Sequence, residues 1–169
     1  MDSPGSGASD AAFEAIVARL DYPMFVVTTR AGDRRAGCLV GFASQTSIHP
    51  RCFLVGLSKR NHTFRVARDA EGLVVHLVTR RHREIAELFG GRTGDQVDKF
   101  TLCEWSEGPF GIPVLHDGAA WFAGRIIDRF ELGDHVGFML EPVAGFAPSG
   151  LDELVSFSDV RDLDPGHEP

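Results

Sequence analysis

The residues of this chain best suited to chemistry lie between Gly41 and Thr63. Two polar turns, Ala43-Ser44-Gln45-Thr46-Ser47-Ile48-His49-Pro50 and Ser58-Lys59-Arg60-Asn61-His62-Thr63, flank one apolar run, Cys52-Phe53-Leu54-Val55-Gly56-Leu57. The second turn suits an anion. A helix opening at Asn61 would present unpaired N–H groups and the positive end of its dipole. The Ser58 and Thr63 hydroxyls, the Lys59 ammonium and the Asn61 amide would add donors. Taken alone, a capped helix with a solvent-facing lysine is the plainer reading, because capping residues are common in any protein.

The first turn shifts that balance. Gly41 permits close backbone approach, and Ser44, Gln45, Thr46 and Ser47 supply donors and acceptors for a planar heteroaromatic ring. A strand of about six residues spans roughly 20 Å, so the two turns sit at its opposite ends unless the first runs along a neighbour. Because Val40 and Gly41 belong to the preceding strand, an extended ligand could lie across both. A molecule with a ring at one end and a phosphate at the other, such as FMN, suits that layout.

A third candidate is Gly133-Asp134-His135, where a glycine turn sets a histidine at a strand start, free to face a cleft. A lone histidine there is more often structural. His49, His62, His76, His82, His116 and His167 form no HxxxH or HxH pair, so metal binding has no support. Neither a Gly-x-Ser-x-Gly elbow nor a Cys/His pairing points to a hydrolase. Gly90-Gly91-Arg92-Thr93-Gly94 follows a helix pattern instead of preceding one, which excludes a Rossmann loop.

The elements that must position these residues are mostly strands. Residues 1–8, rich in Gly, Ser and Pro, are expected to be disordered. Asp10 would cap a helix with Phe13, Ile16, Val17 and Leu20 on one apolar stripe. Met24–Thr29 and Ala36–Phe42 would form a hairpin about a turn at Arg30–Arg34. Then follow the Cys52–Leu57 strand, a helix from about Asn61 to Arg68 with Asn61 as N-cap, and a strand over Leu73–Val78. A short helix over Arg83–Phe89 stops at Gly90-Gly91. Residues 92–118 look irregular, with a short helix at Asp98-Lys99-Phe100. Ala119–Ile127 and Val136–Ala147 would be two strands joined by Glu131–His135. Hairpins outnumber βαβ crossovers, which predicts a mostly antiparallel sheet of at least six strands. A small closed or split barrel would bury so many apolar strands economically.

A chain of 169 residues suits one domain. We expect that domain over 9–157, with an acidic tail over 158–169. The net charge of -7 argues against a nucleic-acid surface, and Arg80-Arg81-His82-Arg83 is expected to be a solvated turn. No apolar run approaches the ~20 residues of a membrane helix. With no secretory pattern at the N-terminus, the expected location is cytoplasmic. Cys38, Cys52 and Cys103 share no metal-type spacing and are expected to be core residues.

In their order along the chain, several segments resemble the flavin reductase-like, FMN-binding split-barrel family. They are Tyr22–Thr29, Ser47-Ile48-His49-Pro50 leading into Phe53–Lys59, Phe89, Asp98-Lys99-Phe100, Gly111–Leu115 and Gly133-Asp134-His135. Together they cover about residues 20–147. The resemblance implies mainly β structure with short helices, a six-stranded antiparallel Greek-key split barrel, acting as a homodimer with FMN near the subunit interface. It assigns flavin binding to Cys38, Leu39, Val40, Gly41, Ser44, Gln45, Ser58, Lys59, Asn61 and Thr63, with phosphate on the second turn. It places His135 beside the nicotinamide as the catalytic residue. Leu39 stands where the family often has threonine, and Phe42 occupies a position usually small and polar. His49 and Arg51 replace an acid and a proline.

The implied activity is a reductase that moves hydride from NAD(P)H to FMN and on to free flavin, a partner monooxygenase or another acceptor. FAD or a deazaflavin stays open as the flavin. The competing expectations are an FMN- or haem-binding electron carrier with no reductase activity of its own, and a barrel without a cofactor.

Overall fold

A strand that is apolar on both faces needs a packing layer on each side, and the first strand of this protein has both. The computed structural model describes residues 6–91 and 95–164. After α1 (Ser6–Val17) comes β1 (Phe25–Ala31). Phe25 and Val27 face one core with Cys38, Val40, Val55 and Phe138, whereas Met24 and Val26 face a second core with Ile85, Phe89 and Phe100. Strand alternation divides the run between the two layers.

The other elements are β2 (Arg34–Val40), β3 (Ala43–Ser47), β4 (Cys52–Ser58), α2 (His62–Ala67), β5 (Gly72–Leu77) and α3 (Arg83–Gly90). They continue through β6 (Trp105–Glu107), β7 (Pro113–Leu115), β8 (Ala120–Leu132), β9 (His135–Phe146) and α4 (Phe157–Val160). One antiparallel sheet of seven strands runs β2-β1-β5-β8-β9-β4-β3, and β6 pairs with β7 in a small second sheet. Mainly β structure with short helices and antiparallel pairing was expected and is found.

The differences in detail have physical causes. Ala43–Ser47 was expected as a turn, yet it is β3, pairing Ala43 with Val55 and Ser44 with Leu54. Its polar side chains are tolerated because β3 is an edge strand largely open to water. That strand brings the large sheet to seven where six were expected. Residues 105–115, expected to be irregular, hold the short β6–β7 ladder. The last hairpin turns over only two residues, Gly133 and Asp134, because Gly133 accepts φ 83°. β8 therefore reaches Leu132, beyond its expected end at Ile127.

Buried polar groups tie the layers together. The Thr28 hydroxyl donates to Pro113 O at 2.6 Å and the Thr29 hydroxyl to Gly72 O at 2.9 Å. His76, fully buried, spans Val26 O (2.9 Å) and the Leu115 amide (3.0 Å). At the C-terminal side, Phe157 of α4 stacks on Tyr22 at 5.0 Å and Val160 is buried, so α4 docks onto the start of the sheet. Among the described residues nothing covers the apolar stripe of α1: Phe13 is 67% and Ile16 62% exposed. Helix α1 begins at Ser6, inside the segment expected to be disordered, and residues 1–5 lie outside the described residues. Among the described residues no helix is long and apolar enough to cross a membrane.

Candidate functional site

The anion-suited turn forms where β4 ends and α2 begins. Asn61 takes an extended backbone and its Oδ1 accepts from the Thr63 amide at 2.8 Å, the N-cap expected from its residue type. Ser58 Oγ accepts from the Arg60 amide at 3.3 Å and Ser58 O from the Asn61 amide at 3.0 Å. The turn is thus closed by its own hydrogen bonds, with no ligand required to shape it. Lys59 is exposed, its Nζ 2.5 Å from Glu131 Oε2, and its amide donates to Asp134 O. Thr63 is buried and lies against Cys38, whose thiol is pushed up by burial.

Of the residues assigned to the flavin ring and chain, Cys38 and Val40 point into the first core and Leu39 packs against the second. What they can offer a ligand is chiefly backbone, and only where it points away from β1. β2 is an edge strand, and Gly37 O faces its open side, where it accepts from Lys99 Nζ at 3.0 Å. Alternation turns the Leu39 N–H and C=O the same way. A Cβ at Gly41 would lie 2.6 Å from the Tyr22 ring, so glycine there serves an approach by protein as much as by any ligand. Ser44 and Gln45 are exposed on β3, which runs beside β4. That register sets Gly41 near the Leu57 end of β4, close to the anion-suited turn instead of a strand length away.

His135 opens β9 opposite Ser58. Its Nδ1 lies 2.7 Å from Asp134 Oδ1, and that hydrogen bond holds the Asp134 carboxyl below its usual range. The imidazole is half-buried beneath Phe42, ring centroids 5.0 Å apart. The two rings border a cleft of about 310 Å³ walled by Ala43, Ser44, Leu54, Gly56, Leu132 and Asp134. A cleft of that size reaches the lower end of small-molecule sites. Gly56 makes it possible, because its amide donates to Phe42 O at 2.7 Å and a Cβ would press to 3.2 Å of Phe42.

Ser58, Lys59, Asn61, Thr63, Gly41 and His135 thus gather at one end of β4, and Ser44 lines the same cleft, whereas Leu39 packs beside Gly90 on the second core. Sequence reasoning missed two features. Lys99, expected merely within a short helix, is buried with its ammonium between Gly37 O and Phe89 O, both at 3.0 Å. The position of Lys99 directly after a capping aspartate gave no sign of this. Second, His82 Nδ1 lies 3.3 Å from Glu84 Oε1 and 3.8 Å from Asp117 Oδ1, in an exposed grouping whose three donor atoms fall within 4.8 Å. No short-range spacing could show it, because Asp117 comes from a distant turn. The basic run is neutralised as expected of a solvated turn: Arg80 pairs with Glu153 and Asp159, Arg81 with Asp152 and Arg83 with Glu87.

The flavin reductase like domain family matches residues 17–162, so this chain belongs to that family. It is 28% identical over 151 residues to the FMN reductase (NADH) RutF of Methylorubrum extorquens, covering 89% of this chain and 73% of that protein. It is 28% identical over 131 residues to the 4-hydroxyphenylacetate 3-monooxygenase reductase component of Pseudomonas aeruginosa, covering 77% of each chain. In fold it is similar to the NADH:FAD oxidoreductase SgcE6 of Streptomyces globisporus, with a TM-score of 0.79 at 18% identity and 92% of each chain covered.

Proposed function

We propose that this protein is an NADH-dependent flavin reductase that passes electrons to free flavin, a partner monooxygenase or another acceptor. The observation that carries the reading is the pairing of Ser58 with His135, which sets the anion-suited turn and the His135 cleft side by side. Family membership and relatives named as NADH-dependent reductases and as a monooxygenase reductase component support it.

The residues present fit a flavin nucleotide, FMN or FAD. The donor set of Ser58, Lys59, Asn61 and Thr63 suits a phosphate, with Lys59 exchanging its exposed contact to Glu131 for the ligand. Backbone of Leu39 on the open edge of β2 and of Gly41 beyond it, with Ser44 and Gln45 beside β4, suits the ring and ribityl chain, whereas Cys38 and Val40 turn their backbone groups to β1 and shape the site only as part of the strand. Bound flavin supplies the redox chemistry itself, taking hydride from the nicotinamide. The protein positions the ring, keeps the turn preformed and holds the His135 imidazole by Asp134 where the nicotinamide carboxamide would dock.

The same proposal includes a split barrel, in which the sheet curls around its first core so that β2 and β4 face each other without a ladder. It includes a homodimer, supported by the exposed stripe of α1, and a single domain over 9–157, extended here to take in α4. Nucleic acid is not a proposed ligand, and a cytoplasmic location goes with a dinucleotide reductant.

Purified protein tests the reading. It should bind FMN or FAD with flavin absorbance, and NADH should bleach that absorbance without oxygen. Flavin binding without bleaching would leave an electron carrier, and a protein that binds no flavin would remove the proposal.

A further inference from the structure

Lys99 has a charge that its surroundings do not balance. It is only 4% exposed, its two acceptors are neutral carbonyls, and the Phe89 ring at 5.4 Å adds a cation–π contact but no counter-charge. No carboxylate pairs with it among the described residues, although lysine is seldom so buried without one. Burial accordingly holds its ammonium below the usual lysine range. An ammonium has three N–H donors, so one remains.

Lys99 lines a pocket of about 250 Å³ between Arg34, Arg35 and Gly37 of β2 on one side and His62 and Asp98 on the other. Asp33 and Asp98 line the same pocket, and Asp95 sits beside it against His62 Nδ1 at 3.1 Å, but none of the three pairs with Lys99. Asp98 Oδ1 accepts from the Phe100 amide at 3.1 Å, and Asp33 is exposed on the hairpin turn. Arg34 is held by Asp69 at 3.0 Å, while the Arg35 guanidinium lies over the Trp105 ring at 4.8 Å. A flat cation seated on an aromatic face keeps its in-plane N–H groups available at the pocket rim. His62, the residue after the Asn61 cap, belongs to both the pocket and the anion-suited turn.

We infer that this pocket is a second anion subsite, taking the adenylate phosphate of a dinucleotide whose other half occupies the turn and cleft. This rests on the flavin reductase reading above. At about 250 Å³ the pocket lies just below the usual range for whole ligands, so it suits a phosphate with its ribose and no more. The adenylate could come from FAD or from the nicotinamide dinucleotide, and both carry the same phosphate chemistry.

Isothermal titration of wild type, Arg35→Gln and Lys99→Met with ADP, FMN, FAD and NADH separates the possibilities. ADP should bind on its own, and Arg35→Gln should weaken it about tenfold or more, the effect of losing one charge-assisted hydrogen bond. If FAD is the source, FAD binds more tightly than FMN, and Arg35→Gln erases the margin without changing FMN affinity. If the nicotinamide dinucleotide is the source, Arg35→Gln weakens NADH and leaves FAD alone. Lys99→Met should act in the same direction when circular dichroism shows it folded. Exposed Arg35 carries the test if Lys99→Met does not fold. Failure of ADP to bind, or ADP, FAD and NADH affinities all indifferent to Arg35→Gln, would overturn the subsite. ADP binding that depends on Arg35 in a protein that binds no FMN would sink the flavin reading and keep the subsite.

Discussion

The His135 imidazole has one nitrogen committed to Asp134 and a ring face covered by Phe42, which leaves Nε2 for a ligand in the cleft. A donor or cation at that point would steady the nicotinamide carboxamide or the charge of reduced flavin. His135→Ala should slow flavin reduction by NADH about a hundredfold, the lower end of what one positioned donor contributes. FMN affinity should stay nearly unchanged, since the phosphate donors lie on the neighbouring turn. Stopped-flow reduction beside a flavin titration measures both. Equal damage to both would make His135 a fastener of the hairpin. His76 makes a contrasting case, because burial lowers its pKa to about 4 from 6.5. The unfolded chain takes up a proton below about 6.5 that the folded chain refuses, so stability is complete above that pH and falls toward pH 4. The loss should reach about 3 kcal/mol, read from urea midpoints between pH 7 and pH 4. A flat profile there would mean that the folded protein accepts the charged ring. His76→Gln should flatten the slope at the expense of overall stability. The strand start and cleft of His135 were legible from Gly133-Asp134-His135, but the environment of His76 was not: alternating apolar neighbours mark it as a strand residue, and its two partners come from Val26 and Leu115, far along the chain.

The turn from Ser58 to Thr63 is where sequence and structure agree most closely. Its capping chemistry is local, so Asn61 and α2 could be expected from residues at fixed short offsets. Lys59→Ala with Asn61→Ala should weaken FMN by about tenfold or more and riboflavin far less, since charge-assisted bonds to phosphate contribute about 1.5–3 kcal/mol each. The Asn61 change also removes a cap worth about 1 kcal/mol of stability, which is why riboflavin is the control. Equal losses for both ligands in a fluorescence titration would put the phosphate elsewhere. β3 was less legible. Ser44, Gln45, Thr46 and Ser47 have turn-like types, and their strand conformation comes from pairing with β4, a tertiary cause that local pattern does not contain. Trp105–Glu107 and Pro113–Leu115 escaped for the same reason, because three-residue strands are too short to show a period.

Seen whole, the molecule has two buried layers and an incompletely covered exterior. Phe13 and Ile16 of α1 and Leu20 just beyond it are exposed, together with Ile127, Phe130, Leu132 and Phe146 of the last hairpin. Apolar side chains along two separate elements suit a two-fold, self-complementary contact. Sedimentation should give a dimer at micromolar concentration, and Phe13→Ser with Ile16→Ser should shift it toward monomer. A flavin-bound monomer in the unchanged protein would contradict the assembly. The antiparallel class was legible because hairpins are encoded locally, in Gly32 and Gly133 and the apolar runs beside them. The order of strands was not, since β5 pairs with β8 across the whole of α3 and the β6–β7 ladder.

That order has a further consequence during synthesis. β9 lies between β8 and β4, and it is the last strand of the sheet to leave the ribosome. Until it does, β4 and β3 form a detached hairpin while β2, β1, β5 and β8 can already assemble. The nascent chain must carry two unsatisfied strand edges, a state that favours association with other chains. The edge of β4 that waits longest is the one that ends at Lys59, whose amide pairs with Asp134 O, beside the cleft and the anion-suited turn. Emergence of Val136 to Leu140 closes the sheet and creates the site in one event, so no shorter nascent chain should hold flavin.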